Sequence, residues 1–181
     1  MTQYARPTGL VSNSNDAWQP GAAPGETPKA NLWDSINEVT LDTDYFDYAT
    51  DDGGAGESFE VYLSGVTDPV SSSSHEVHFT VEGDQGEGSF DIILKDGSST
   101  IVTSGISQLD GGGPETKGFA LSTSQANSIG DYGDLRLHFT FTDEDFFGEQ
   151  CNVYHAYFQC PDAPAPAAST NAKAFMLFLD S

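Results

Sequence analysis

Basic residues are scarce in this chain: six Lys and Arg stand against 28 Asp and Glu, giving a formal net charge of −22. A surface of that sign repels phosphate backbones and anionic lipid headgroups, so neither nucleic acid nor a membrane surface is expected as a partner. Cysteine is nearly absent. Cys151 and Cys160 alone are no disulfide framework. They are nine positions apart and would face opposite sides of a straight strand, so two buried or idle thiols are expected. Long apolar runs are missing too. The longest, Ala174 to Leu179, falls far short of the roughly 20 residues that span a bilayer. The opening residues, Met1 to Pro7, lack the apolar stretch of a signal peptide, which places synthesis and assembly in the cytoplasm. Runs of good helix formers are few, which argues against a helical protein.

What is present is a core and many turns. Twelve Phe and seven Tyr, with 37% hydrophobic residues overall, can fill a real interior. A length of 181 residues suits one domain plus some extended segment. Two readings of the acidity stay open. Either it is a solvated surface that keeps the protein soluble, or it is an adaptation to high salt, where repulsion is screened within a few Å.

Residues 1–30 read as an extended N-terminal arm, broken by Pro7, Pro20, Pro24 and Pro28, with Tyr4, Leu10, Val11 and Trp18 as isolated anchors. Asn31 to Glu38 predicts a short helix capped by Asn31, with Leu32 and Ile36 on one face. From Ser58 the pattern changes to period two. Phe59, Val61 and Leu63 alternate with Glu60 and Tyr62; Val77, Phe79 and Val81 alternate with His78 and Thr80. Phe90 to Leu94, Ile101 to Thr103, Phe119 to Leu121, Leu135 to Phe141 and Asn152 to Gln159 continue the series. Between two of these strands, Ser122 to Ile129 reads as one helical turn with a hydroxyl cap. Strands at this spacing, parted by Gly-rich turns, predict an all-β antiparallel sandwich over 31–160. After Cys160 a stiff Pro/Ala-rich spacer leads into an apolar tail, 161–181 in all.

The chemistry-bearing residues make no convincing catalytic or metal set. His75 and His78 form H-x-x-H, but positions i and i+3 of a strand face opposite sides, and no further ligands complete a zinc site. His138 and His155 sit singly in strands. Asp42, Asp44, Asp47, Asp51 and Asp52 could offer oxygens to Ca²⁺, yet lack the Gly and Glu spacing of a calcium loop, so a solvated acidic loop is favoured. Asp143, Glu144, Asp145 and Glu149 read the same way. No glycines flank a serine as in a nucleophile elbow. Gly111-Gly112-Gly113 has no base placed to hold phosphate. Neither enzymatic activity nor a cofactor is expected.

Three stretches together carry a resemblance. They are Asn31 to Tyr48, with Ile36-Asn37-Glu38 leading into Asp42-Thr43-Asp44-Tyr45; Phe59 to Pro69, followed by a Ser run and His75; and Leu121 to Leu137, closed by Val153 to Phe158. In this order they resemble small jelly-roll structural proteins encoded among the virion genes of tailed viruses, of the head-decoration or minor tail type. The chain departs from that group in its acidity and its apolar C-terminal tail. The resemblance implies a jelly-roll fold and a location in the virion. It implies a structural accessory role, first of all as a capsid decoration or cement protein, with a tail or collar position as the close variant. Partners would be the major capsid protein or other virion proteins, with homo-oligomers on the particle. It carries over no catalytic or ligand residues. The docking residues would come from the termini: Tyr4, Leu10 and Trp18 in the arm, and Phe175, Met176, Leu177, Phe178 and Leu179 in the tail. Large apolar side chains left in water each forgo roughly 1.5–3 kcal/mol, so such a tail is expected to dock somewhere. The alternative is a carbohydrate-binding jelly roll acting in host receptor recognition. There Tyr45, Phe46, Tyr48 and Tyr62 would stack on sugars beside carboxylates.

Overall fold

A computed structural model describes residues 1–14, 18–22, 30–38, 44–48, 57–83, 89–106, 112–142 and 151–165. Eleven strands are described: β1 (Thr2–Ala5), β2 (Pro7–Asn13), β3 (Trp18–Ala22), β4 (Asp44–Tyr48), β5 (Glu57–Leu63), β6 (Glu76–Gly83), β7 (Ser89–Asp96), β8 (Ser99–Ile106), β9 (Glu115–Ala120), β10 (Leu135–Thr142) and β11 (Cys151–Pro161). They form two antiparallel sheets. The first has the order β3-β4-β11-β6-β9, with β1 also paired to β11; the second has the order β2-β5-β10-β7-β8. From β4 onward, apart from the β7–β8 hairpin, the chain passes back and forth between the sheets, as a jelly-roll sandwich requires.

Period-two patterning explains β5, β6, β7 and β10. In β10 burial alternates without a fault, with Leu135, Leu137, Phe139 and Phe141 inward. Phe59 is the hub between the sheets. Its ring stacks on Phe139 at 4.5 Å and meets Phe46 and Trp18 edge-on at 4.4 and 4.7 Å. Such aromatic pairs add roughly 0.5–1.5 kcal/mol each beyond the area they bury.

The expected N-terminal arm is corrected by the structure. Over its described residues it is three strands of the sandwich, so the folded domain takes in β1 to β11 rather than beginning near residue 31. The physical reason lies in strand position. β2 and β3 are the outermost strands of their sheets, where Pro7 and Pro20 remove donors that the ladder does not need.

The short helix expected over 31–38 is a single 3-10 turn at Leu32–Ser35. Asn31 precedes it in extended conformation without a side-chain cap bond, and Ile36 enters the core. At Thr123–Ala126 (α1) the hydroxyl cap is present. Ser122 and Gln125 form a reciprocal capping box.

The two cysteines are buried free thiols, as expected, but the side they were expected to face is corrected. Cys151 and Cys160 lie on one strand, but both are fully buried rather than facing opposite sides. The register of β11 against β6 slips between Val153 and His155, a bulge that inserts one residue and restores the inward phase. Burial pushes the Cys160 thiol up to about 11.

Candidate functional site

The bulge in β11 shapes the outer face of the first sheet. Val153 and Ala156 point inward and are fully buried, so Tyr154 and His155 between them both fall on the outer side. Tyr157 follows on the same face. It is joined by His78 from the facing position on β6 and by Tyr4 from β1. Tyr45, one residue from the Phe46–Val153 pairing, arrives from β4. Four tyrosines and two histidines, one of them buried, thus cover this face.

Their contacts form two groups strung along β11 as one strip. Tyr45 and Tyr154 meet at 5.1 Å. Tyr157 stacks on His78 at 4.8 Å, and meets Tyr4 edge-on at 5.6 Å and His155 edge-on at 5.0 Å. The Arg6 guanidinium lies 5.6 Å from the Tyr4 ring centre and 5.4 Å from that of Tyr157. From Tyr154 to Tyr157 the strip runs about 10 Å along β11, at the usual rise per strand residue.

Two glycines make room for it. Gly21 on β3 pairs with Tyr45. A Cβ there would clash with the face of the Tyr45 ring, 2.6 Å from Cδ2 and 2.7 Å from Cζ. The ring therefore lies broadside over the strand. Gly118 on β9 pairs with His78, and a Cβ there would sit 3.0 Å from His78 Nδ1.

Polar groups border the rings at both ends. The Tyr154 hydroxyl donates to the Glu82 carboxylate. Burial, and then that bond, push the phenol well above its ordinary pKa. Burial also raises Tyr157. Glu76 accepts from Gln159 at 2.9 Å and lies 2.9 Å from His78 Nε2. His155 is 8% exposed, and its Nε2 finds no hydrogen-bond partner among the described residues. Burial and the nearby Arg6 hold it below its ordinary pKa, so its ring is neutral at pH 7.

The second sheet's outer face is different in kind. Glu60, with a side chain 6% exposed, is surrounded by Lys95 Nζ at 2.5 Å, His138 Nδ1 at 3.2 Å and Arg136 at 3.4 Å. Arg136 also chelates Asp134 and lies 4.9 Å from the Tyr62 ring centre. Every member of this cluster already has a partner, so it stabilises the sheet and leaves little to offer a ligand.

Of the residues singled out from the sequence, Tyr4 and Tyr45 belong to the strip. Tyr62 is 40% exposed on the opposite sheet, and Phe46 is core. The side chain of Tyr48 lies outside the described residues. Leu10 is 41% exposed on β2. Trp18 is 1% exposed and cannot anchor a partner, which corrects its expected docking role. Phe175, Met176, Leu177, Phe178 and Leu179 lie outside the described residues, as does most of the Asp42–Asp52 stretch weighed for Ca²⁺. His75 and His78 occupy separate environments. His75 is fully buried and bonds the Tyr132 hydroxyl at 2.8 Å. The sequence reading missed Tyr154, Tyr157 and both glycines. The density of aromatics in Tyr154-His155-Ala156-Tyr157-Phe158 was the available signal, but the bulge hid which side they face.

No family model and no curated protein matches this chain. Among solved structures it is similar to a xylan-binding module (12% identity, TM-score 0.43, covering 91% of this chain and 99% of that one). It is also similar to a carbohydrate-binding module in complex with β-1,4-galactotriose (12%, 0.45, 87% and 86%) and to a cyclase from Fischerella sp. TAU (10%, 0.47, 91% and 100%). At this level of identity and overlap the likeness says nothing about what this chain binds.

Proposed function

We propose that this protein is a non-catalytic carbohydrate-binding β-sandwich whose outer aromatic strip docks a glycan. The observation that carries the reading is Tyr45 lying broadside over Gly21 and against Tyr154, with the Tyr157–Tyr4 pair further along β11 on the same face. A sugar ring offers an apolar C–H face and a rim of hydroxyls. Flat tyrosines supply a rigid apolar surface with a polar tip, at little cost in side-chain entropy. Glu76, Glu82 and Gln159 stand at the rim, where hydroxyls need partners. The net charge of −22 disfavours acidic glycans, so the ligand class is a neutral saccharide chain.

The test is electrophoresis of the purified protein through gels containing xylan, galactan or hydroxyethylcellulose. Retention is expected with at least one polymer. Tyr45→Ala and Tyr157→Ala should each weaken it by about tenfold, the scale of losing one aromatic anchor. Tyr62→Ala should leave it unchanged. Loss through Tyr62→Ala alone would move the site to the other sheet, and no retention by any neutral polymer would defeat the reading.

A place on a tailed-virus particle, expected from the resemblance, remains a separate proposal. It is tested by looking for the chain in purified particles and counting copies: hundreds would mean shell, a dozen or fewer would mean tail or vertex.

A further inference from the structure

The open edge of the sandwich carries a feature that the strip does not use. Between β2, β3 and the 3-10 turn lies a groove of about 370 Å³, within the usual range of small-molecule sites. Leu10, Leu32 and Trp33 form apolar walls, and Asn13, Gln19 and Asn31 supply amides. Among the described residues no charged side chain lines it, in a chain where 19% of residues are charged. Both tryptophans of the sequence border it, Trp18 buried and Trp33 half-buried.

Local structure holds these groups in place. The Asn13 amide clamps the β3 backbone, donating to the Trp18 carbonyl at 2.9 Å and accepting from the Trp18 N–H at 3.2 Å. Asn31 makes no cap bond with its side chain, so its amide stays available at the groove.

We propose that this groove is a second binding site, taking a neutral monosaccharide or disaccharide. The choice of ligand follows from elimination by chemistry. An anion would meet the field of an acidic protein with no counter-charge from the groove's described residues. A cation would find stronger partners almost anywhere else on the surface. A purely apolar ligand would strip water from the Gln19 and Asn31 amides and return nothing to them. A neutral polyhydroxyl ring matches what is there: amides donate to and accept from its hydroxyls, while indole and leucine side chains cover its C–H face. The groove and the strip share no residue, so either can fail without the other.

Tryptophan emission isolates this site, because both indoles border the groove and the strip contains only tyrosine and histidine. The full chain is titrated with methyl glucoside, lactose, cellobiose and chitobiose, with glucuronic acid as the charged control. Excitation is set where indole alone absorbs. At least one neutral sugar should give a saturable change, and glucuronic acid should give none. Leu10→Glu introduces a charge at a position 41% exposed, where folding is spared, and should weaken the response about tenfold. Trp33→Phe should remove most of the signal, and the double variant Tyr45→Ala, Tyr157→Ala should keep it. The proposal is overturned if no neutral sugar changes the emission, if Leu10→Glu responds like the parent, or if the response disappears with the strip tyrosines.

Discussion

Gly21 decides where the Tyr45 ring sits. The side chain lies over a position that any other residue would occupy, so Gly21→Ala must push the ring off the strand. Backbone effects of such a change at an extended position stay within about 1 kcal/mol. Binding of the retained polymer is expected to fall severalfold while the melting temperature barely moves, measured by gel retardation and calorimetry on the same sample. Unchanged binding would show that the ring's flat pose is irrelevant. His75 makes a different prediction. It is fully buried, and burial lowers its pKa; His155 and His138 are lowered by burial as well. A depressed folded pKa means that the unfolded chain takes up protons first. Stability should therefore be full above about pH 6.5 and decline as pH drops below it. Urea midpoints at pH 7.5 and 5.5 measure this decline, and His75→Phe should shrink it. At this scale the sequence was partly legible: alternation marked Tyr62 as outward and Phe59 as core. It could not show that Glu60, outward by the same alternation, is buried beneath Lys95, Arg136 and His138.

Among the elements, β5, β6, β7 and β10 could be read because each shows inward Phe, Val, Ile or Leu at alternate positions. The first three strands could not. Pro7 and Pro20 look like breaks in an arm unless one knows that their strands lie at sheet edges, which is a property of the whole topology. Trp18 was accordingly read as an anchor for a partner, yet it packs on Phe59 at 4.7 Å. Trp18→Ala is expected to cost about 3–5 kcal/mol, as for other large aromatics removed from a core. Equilibrium urea unfolding checks this, and a loss below about 1 kcal/mol, the size of an ordinary surface substitution, would return Trp18 to the surface. β11 gives the same lesson. Counting by twos placed its cysteines on opposite faces, and only pairing with β6 reveals the bulge that reverses the count.

For the whole molecule, charge sets the conditions under which everything else is measured. Twenty-eight acids against six bases imply self-repulsion that salt should screen, so the melting temperature should rise from low to molar NaCl. A flat curve would leave the acidity as simple solvation. Of the four described Lys and Arg side chains, Lys95 and Arg136 sit on Glu60, Lys117 pairs with Glu115, and Arg6 lies over the strip. Removing Arg6 therefore deprives the aromatic face of its nearest cation, and Arg6→Ala should weaken glycan binding as well as stability. The central claim is that the first sheet's outer face is the glycan surface. The most direct measurement is a residue-resolved amide NMR map of the labelled protein, titrated with an oligosaccharide of whichever polymer retains it. The account predicts that the largest shifts cluster at Tyr45, His78, Tyr154 and Tyr157, with Glu60, Tyr62 and Arg136 unmoved. Shifts concentrated around Tyr62, or spread evenly over both sheets, would contradict it.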